Sequence, residues 1–204
     1  MSVIVIDGMT GAGKSTLANI LAEELRFDLI AEVFRDDDDL LGKYFSEGSR
    51  WCFPMQISFL TNRFIQYREA VAGENVIMDR SIFSDPIFAC LYHANGDMKP
   101  EEYRVYKRLY QSLINSLTPP DLVIYLDVTA EEAIARIKRR ARADELAVSE
   151  QYWRNLHALY ADHYRNYRHS PLFWLDVNQL DYANDRASRN QVVHEVKARL
   201  GMAK

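Results

Sequence analysis

Nine residues near the start of the chain have the types and spacing that phosphate chemistry needs. Gly8-Met9-Thr10-Gly11-Ala12-Gly13-Lys14-Ser15-Thr16 fits G-x-x-x-x-G-K-[ST], with Gly8, Gly13, Lys14 and Ser15 at the fixed places. Glycines let consecutive backbone N–H groups curl around an anion, and a helix beginning there adds the positive end of its dipole. Lys14 is expected to bridge the β- and γ-phosphates of a nucleoside triphosphate, with the Ser15 hydroxyl on Mg²⁺. An ordinary tight turn explains glycines before a helix. It does not explain Lys14-Ser15 at their fixed distance from Gly8.

Other residues could act on such a phosphate. Asp79 follows the apolar run Val76-Ile77-Met78, the place from which nucleotide enzymes hold Mg²⁺ through its water shell. Glu32 ends the apolar stretch that follows the phosphate loop and its helix, where a carboxylate could take the proton of an attacking hydroxyl. Arg136, Lys138, Arg139, Arg140 and Arg142 put five cations within seven residues. Cations at a helix C-terminus complement its dipole, which accounts for one or two of them. The remainder suggests a lid closing over migrating phosphoryl charge. Asp127 is expected to cap the helix starting near Ala130, and Asp39, the last of four consecutive aspartates, the helix at Leu40. The five histidines have no ligand spacing, so zinc is not expected, and no Asn-Lys-x-Asp guanine-reading motif is present.

The elements that must position these residues alternate along the chain. Five short apolar runs, at 3–7, 28–33, 75–79, 121–127 and 172–177, are separated by helical patterns. The longer helices are expected at about 51–72, 82–95, 99–117, 130–141 and 149–167, with a last one near 188–200. Strand–helix alternation implies an α/β fold, a parallel sheet with helices on both faces and ligands at the carboxyl ends of the strands. The helical stripe Leu109/Leu113/Leu117 suits a core or a dimer seam.

Length and composition fit one domain over residues 1–204, with 48% apolar and 26% charged residues. A formal net charge of −4 argues against a nucleic-acid partner, which would need a basic face. Cys52 and Cys90 lie apart in apolar segments and are expected as buried, reduced thiols in a cytoplasmic protein. No apolar run approaches the ~20 residues of a membrane span. The first strand starts at residue 3, so no targeting peptide is expected.

Taken together, the chain resembles the deoxynucleoside kinase family over essentially its whole length. The stretches that carry the likeness are Asp79-Arg80-Ser81-Ile82-Phe83-Ser84-Asp85, Arg50-Trp51-Cys52-Phe53-Pro54-Met55-Gln56, and Arg136 to Glu145. The resemblance is strongest to bacterial deoxyadenosine/deoxyguanosine kinases and their deoxycytidine kinase relatives. It implies a P-loop kinase of three layers, α/β/α, with a five-stranded parallel sheet and an arginine-rich lid. It further implies a homodimer that transfers phosphate from ATP, with Mg²⁺, to the 5′-hydroxyl of a deoxynucleoside. Glu32 then matches the general base, Arg80 holds the 5′-oxygen and helps fix the base through Asp85, and Gln56 pairs with the base. Glu145 matches the carboxylate that takes the sugar 3′-hydroxyl, while Arg140 and Arg142 match lid arginines on the phosphates. A carboxylate at Asp85 resembles the purine- and cytosine-accepting members, with deoxyadenosine first. The same residue, followed by Pro86, also suits a helix cap.

Two positions depart from the family pattern. The tyrosine expected six residues before the tryptophan matching Trp51 is Phe45, with Tyr44 beside it. The aromatic expected nine residues after Arg80 is Ala89, with Phe88 adjacent. Two alternatives differ in chemistry. A thymidylate kinase would carry an arginine after the second strand to hold the acceptor's phosphate, where this chain has Glu32 and only Arg35 nearby. A non-catalytic nucleotide-binding module would keep Gly13-Lys14-Ser15 without needing Glu32, Asp79 and the arginines together.

Overall fold

Val3, Ile4, Val5 and Ile6 are β-branched, and all four are buried, so the strand they form must be covered on both faces. In the computed structural model, which describes residues 2–31, 38–146 and 148–202, they form the middle of β1 (Ser2–Asp7). The elements then follow as α1 (Lys14–Leu25), β2 (Asp28–Ile30), α2 (Leu40–Glu47), α3 (Cys52–Ala70), β3 (Asn75–Asp79), α4 (Asp85–Ala94) and α5 (Pro100–Ile114). After these come β4 (Leu122–Asp127), α6 (Ala130–Arg140), α7 (Ala143–Leu146), α8 (Glu150–Arg165), β5 (Leu172–Asp176) and α9 (Arg186–Arg199). The chain divides into two compact units.

The first unit comprises Met1–Ala31, Gly73–Arg80 and Pro119–Lys204. It contains a five-stranded parallel sheet in the order β2-β3-β1-β4-β5, with helices on both sides, as the alternation of patterns implies. Register is set by the apolar residues: Ile4 lies opposite Ile77 on β3 and Leu122 on β4, which carries Ile6 opposite Asp79. α1 packs on β1, β2 and β3 through Leu17, Ala18, Leu21 and Leu25. It stops at Arg26, whose left-handed backbone (φ 57°) lets its N–H return to Ala22 and Glu23. The second strand is shorter than the 28–33 expected, ending at Ile30.

Asp127 does not cap α6. Thr129 does, its hydroxyl accepting from the Glu132 N–H at 3.3 Å, while the Asp127 carboxylate accepts from the Trp174 indole N–H at 2.8 Å. Cross-strand pairing of β4 with β5 brings Trp174 to Asp127 and overrides the local option.

The second unit, Glu32–Ala72 and Ser81–Thr118, is helical among its described residues. α3 buries Cys52, Met55, Gln56, Leu60, Tyr67 and Ala70 along one stripe, and it packs with α4 and α5. Tyr67 meets Phe83 edge-on at 5.3 Å and donates its hydroxyl to the Thr118 carbonyl at 2.8 Å. The helix expected at 82–95 is two pieces, a 3₁₀ turn (Ile82–Ser84) and then α4, with Pro86 in the first turn and Ser84 at the cap. Asp85 is thus the first helical residue, not the cap. Asp39 precedes α2 with φ 52° and makes no capping bond, contrary to expectation. On α5 the fully buried positions are Tyr106 and Ile114, whereas Leu109 and Leu113, with Leu117 beyond the helix, are half-buried.

Both cysteines are free. Cys52 is buried, and burial pushes its thiol up to about 12, whereas Cys90 is only half-buried, less than expected. Among the described residues no helix is long and apolar enough to cross a membrane.

Ile4 is 0% exposed and pairs on both sides. Ile4→Ala should therefore cost ~2–5 kcal/mol in urea unfolding, and Ile4→Val ~0.5–1.5. A loss for alanine no larger than that for valine would show that β1 is not the tightly packed centre of the sheet.

Candidate active site

The phosphate loop leaves β1 at Asp7, whose buried carboxylate accepts the Gly8 N–H at 2.7 Å. Ala12 N–H returns to the Met9 carbonyl at 3.1 Å, closing the turn. Gly11 (φ 86°) and Gly13 (φ 102°) occupy the left-handed region, and both are crowded. A Cβ on Gly11 would lie 2.6 Å from the Ala133 carbonyl oxygen, and one on Gly13 would lie 2.4 Å from the Tyr182 hydroxyl. Glycine is therefore required here by close approach as well as by backbone angle. Gly13 caps α1, and its carbonyl accepts both the Leu17 N–H at 3.1 Å and the Tyr182 hydroxyl at 3.2 Å. The Lys14 ammonium folds back onto the carbonyls of Gly8 (2.9 Å) and Met9 (3.2 Å).

Sheet register supplies the next contact. Because Ile6 pairs with Asp79, the carboxylate at the end of β3 reaches the start of α1, where Ser15 Oγ donates to Asp79 Oδ2 at 2.5 Å. A hydroxyl and a carboxylate side by side form the hard-oxygen pair that suits Mg²⁺. Arg80 follows with its N–H on the Ile6 carbonyl at 2.9 Å, its side chain buried and φ 69°. A left-handed backbone at a non-glycine residue costs about 1–3 kcal/mol, and such strain concentrates at functional positions.

The segment Arg136–Glu145 belongs to the same unit. Arg136 bonds three ways: to Glu132 at 2.8 Å, to the Ala12 carbonyl at 3.3 Å and to the Val177 carbonyl at 3.3 Å. Lys138 pairs with Glu150 at 2.5 Å. Arg140 pairs with Glu145 at 2.5 Å, and Arg142 stands 3.8 Å from the same carboxylate. Glu145 and both arginines therefore form one charge cluster. Beside the loop, Gly13, Thr16, Arg136 and Arg139 help to line a cavity of about 470 Å³, whose far wall is the β5–α9 loop, including Asn178, Gln179 and Tyr182.

The remaining expected residues lie in the second unit. Gln56 is 4% exposed on α3, with no hydrogen bond to its amide among the described residues. Seven residues on, Arg63 occupies the same face and forms an ion pair with Asp85, which is 3% exposed at the start of α4. Tyr44 packs inward, edge-on to Tyr92 at 5.3 Å, and donates its hydroxyl to Asp97 at 3.1 Å. Phe45 points outward and is 62% exposed. Ala89 is 0% exposed. Glu32, along with Arg35 and Asp36-Asp37, lies outside the described residues.

Sequence reasoning missed two residues. Arg63 had a signal, its seven-residue offset from Gln56, which places both on one face of a helix two turns apart. Tyr182 had none, because its partner Gly13 is 169 residues away and the contact exists only through β4–β5 pairing.

Residues 4–200 match the family model described as deoxynucleoside kinase. The chain is 33% identical to a deoxyadenosine/deoxycytidine kinase of Bacillus subtilis, over 96% of this chain and 91% of that protein. It is 31% identical to a deoxyguanosine kinase of Lactobacillus johnsonii, over 98% and 93% respectively. Among solved structures it is similar to deoxyadenosine kinase from M. mycoides with bound dATP, with a TM-score of 0.80 and 30% identity over 96% of this chain and 99% of that one.

Gly11→Ala should weaken ATP binding about tenfold or more, since the added carbon must displace α6 backbone or deform the loop at a cost of ~1–3 kcal/mol. Isothermal calorimetry with ATP checks this, with a thermal melt as control for folding. Wild-type affinity would contradict the close approach to Ala133.

Proposed function

We infer the reaction of this chain from its family, for it belongs to the deoxynucleoside kinases: it is an enzyme that phosphorylates the 5′-hydroxyl of a deoxynucleoside with ATP. The observation that carries this is the family match across residues 4–200. The thymidylate kinase and non-catalytic readings are not favoured by any of the relatives found.

The roles of individual residues are our proposal. Gly8, Met9, Thr10, Gly11, Ala12, Gly13, Lys14, Ser15 and Thr16 hold the triphosphate, with Lys14 turning from the loop carbonyls to the β- and γ-phosphates. Ser15 and Asp79 would hold Mg²⁺, directly and through water; bound there, the ion neutralises phosphate charge. The 2.5 Å contact between their oxygens supports that pairing. Arg140 and Arg142 act as lid arginines on the transferred phosphoryl group. Glu32 takes the proton of the 5′-hydroxyl, as its match to the family's base implies, and Arg80 holds the 5′-oxygen. Glu145 takes the sugar 3′-hydroxyl. Tyr44, packed inward, is better placed than exposed Phe45 to contact the sugar.

Base preference follows from Gln56 and the Arg63–Asp85 pair. A side-chain amide makes two bonds to a base edge that presents one donor and one acceptor, and a carboxylate accepts from an exocyclic amino group. Adenine and cytosine offer such an amino group, whereas thymine offers a carbonyl that would face Asp85 unfavourably. Deoxyadenosine is the preferred acceptor, with deoxycytidine and deoxyguanosine behind it. Exposed Ile65 on α3 and Val105 on α5, with the half-buried Leu109/Leu113/Leu117 stripe, support a homodimer through these helices. The free thiols Cys52 and Cys90 suit the reducing cytoplasm.

A panel of the four deoxynucleosides plus thymidylate, with ATP, tests the reading; turnover of thymidylate alone would overturn it. Glu32→Gln should lower kcat by about 10²–10⁴ with ATP binding intact. Asp85→Ala should shift the order of preferred bases more than it changes ATP affinity, and an unchanged substrate profile would remove Asp85 from base selection.

A further inference from the structure

We propose that Tyr182 is a positioning residue for the phosphate donor, its hydroxyl fixing the Gly13 peptide from which the phosphate-binding end of α1 begins. This rests on the reading that the phosphate loop carries the triphosphate of ATP. Tyr182 is the only aromatic residue in the loop between β5 and α9, and it is 5% exposed. The hydroxyl donates to the Gly13 carbonyl at 3.2 Å. That carbonyl already takes the first helical bond of α1, from Leu17, so Tyr182 adds a second restraint at the residue where the loop turns into helix. The hydroxyl stands where a Gly13 Cβ would be, with the ring at ordinary contact distance, so a side chain at Gly13 would displace that hydroxyl.

Tyr182 is itself firmly held. Its own carbonyl accepts from Arg189 Nε at 3.2 Å. The Asp181 carboxylate takes the Asn184 backbone and side-chain N–H groups at 3.1 Å, and Asp185 caps α9 through the N–H groups of Ala187 and Ser188. The loop is thus anchored at its far side, and its Tyr182 hydroxyl reaches the phosphate loop at Gly13. Burial raises the phenol to about 12, so it stays a donor at working pH. Asn178 to Asn184, including Tyr182, also form the far wall of the 470 Å³ cavity beside Gly13 and Thr16. A donor whose phosphates rest on the loop thus binds next to a wall that Tyr182 ties to that loop.

Tyr182→Phe removes the hydroxyl and keeps the ring. With one hydrogen bond lost, KM for ATP should rise about 3- to 10-fold, while KM for deoxyadenosine stays unchanged. By calorimetry, inorganic tripolyphosphate, which has no base to fill the cavity, should weaken by the same factor as ATP. An unchanged ATP KM would overturn the proposal, as would equal rises for both substrates, the mark of a loosened fold. Weaker ATP with unaltered tripolyphosphate would also overturn it, by moving the role of Tyr182 from the loop to the base. If wild-type protein binds ATP yet phosphorylates no deoxynucleoside, the functional reading fails while the binding comparison still tests Tyr182.

Discussion

The pairing of β1 with β3 is the constraint on which the chemistry of the first unit depends. Ile4 opposite Ile77 is a packing requirement, since both are buried at 0%. A slip of one residue would turn every side chain of β1 to the opposite face, and because both faces are close-packed each would have to be repacked. The consequence of this register appears two residues further on. Ile6 meets Asp79, β1 releases the chain into the phosphate loop, and the Asp79 carboxylate arrives at the Ser15 hydroxyl. No polar residue had to encode that meeting. Core packing encodes it, and the polar groups lie where the strands end.

Close approach is the second constraint. The phosphate loop is bounded by Ala133 of α6 at Gly11 and by Tyr182 at Gly13, and Arg136 bonds the Ala12 carbonyl between them. The backbone N–H groups of a phosphate loop help only if they stay convergent without a ligand to organise them, because ordering the loop at binding would subtract from affinity. Three contacts from distant parts of the chain hold the loop in advance. This also gives Arg136 a structural task before any nucleotide arrives. A sequence reading that counts it simply among five lid cations overlooks that task.

What was legible in the sequence follows the range of the interactions. Strands of consecutive apolar residues, the glycine signature and the helical stripes are local patterns, and the sheet they imply is the one observed. None of the three expected caps is observed, neither at Asp127 and Asp85 nor at Asp39. Asp127 met Trp174 across the sheet, and Asp85 met Arg63 across two helices, so neither plays the local part its neighbours suggested. The Arg63–Asp85 pair also shows why buried charge is hard to read from sequence. A carboxylate that is 3% exposed requires a counter-charge, but that partner is named only by how α3 packs on α4.

The pairing of Arg140 and Arg142 with Glu145 is weak enough to suit the lid role proposed for the two arginines. Arg140 bonds Glu145 at 2.5 Å, but the arginine side chain is 40% exposed, and pairs of that kind contribute only ~0–1 kcal/mol. A charge-assisted bond to phosphate is shorter and stronger, worth ~1.5–3 kcal/mol. Under the roles proposed for these residues, arrival of a triphosphate draws Arg140 away from Glu145 at little cost. The freed carboxylate is then available to a sugar hydroxyl. Donor and acceptor would thereby assist each other's binding through five residues of chain, with a coupling bounded by the small energy of the pair that is broken. A buried and fully satisfied pair at the same place would resist that exchange.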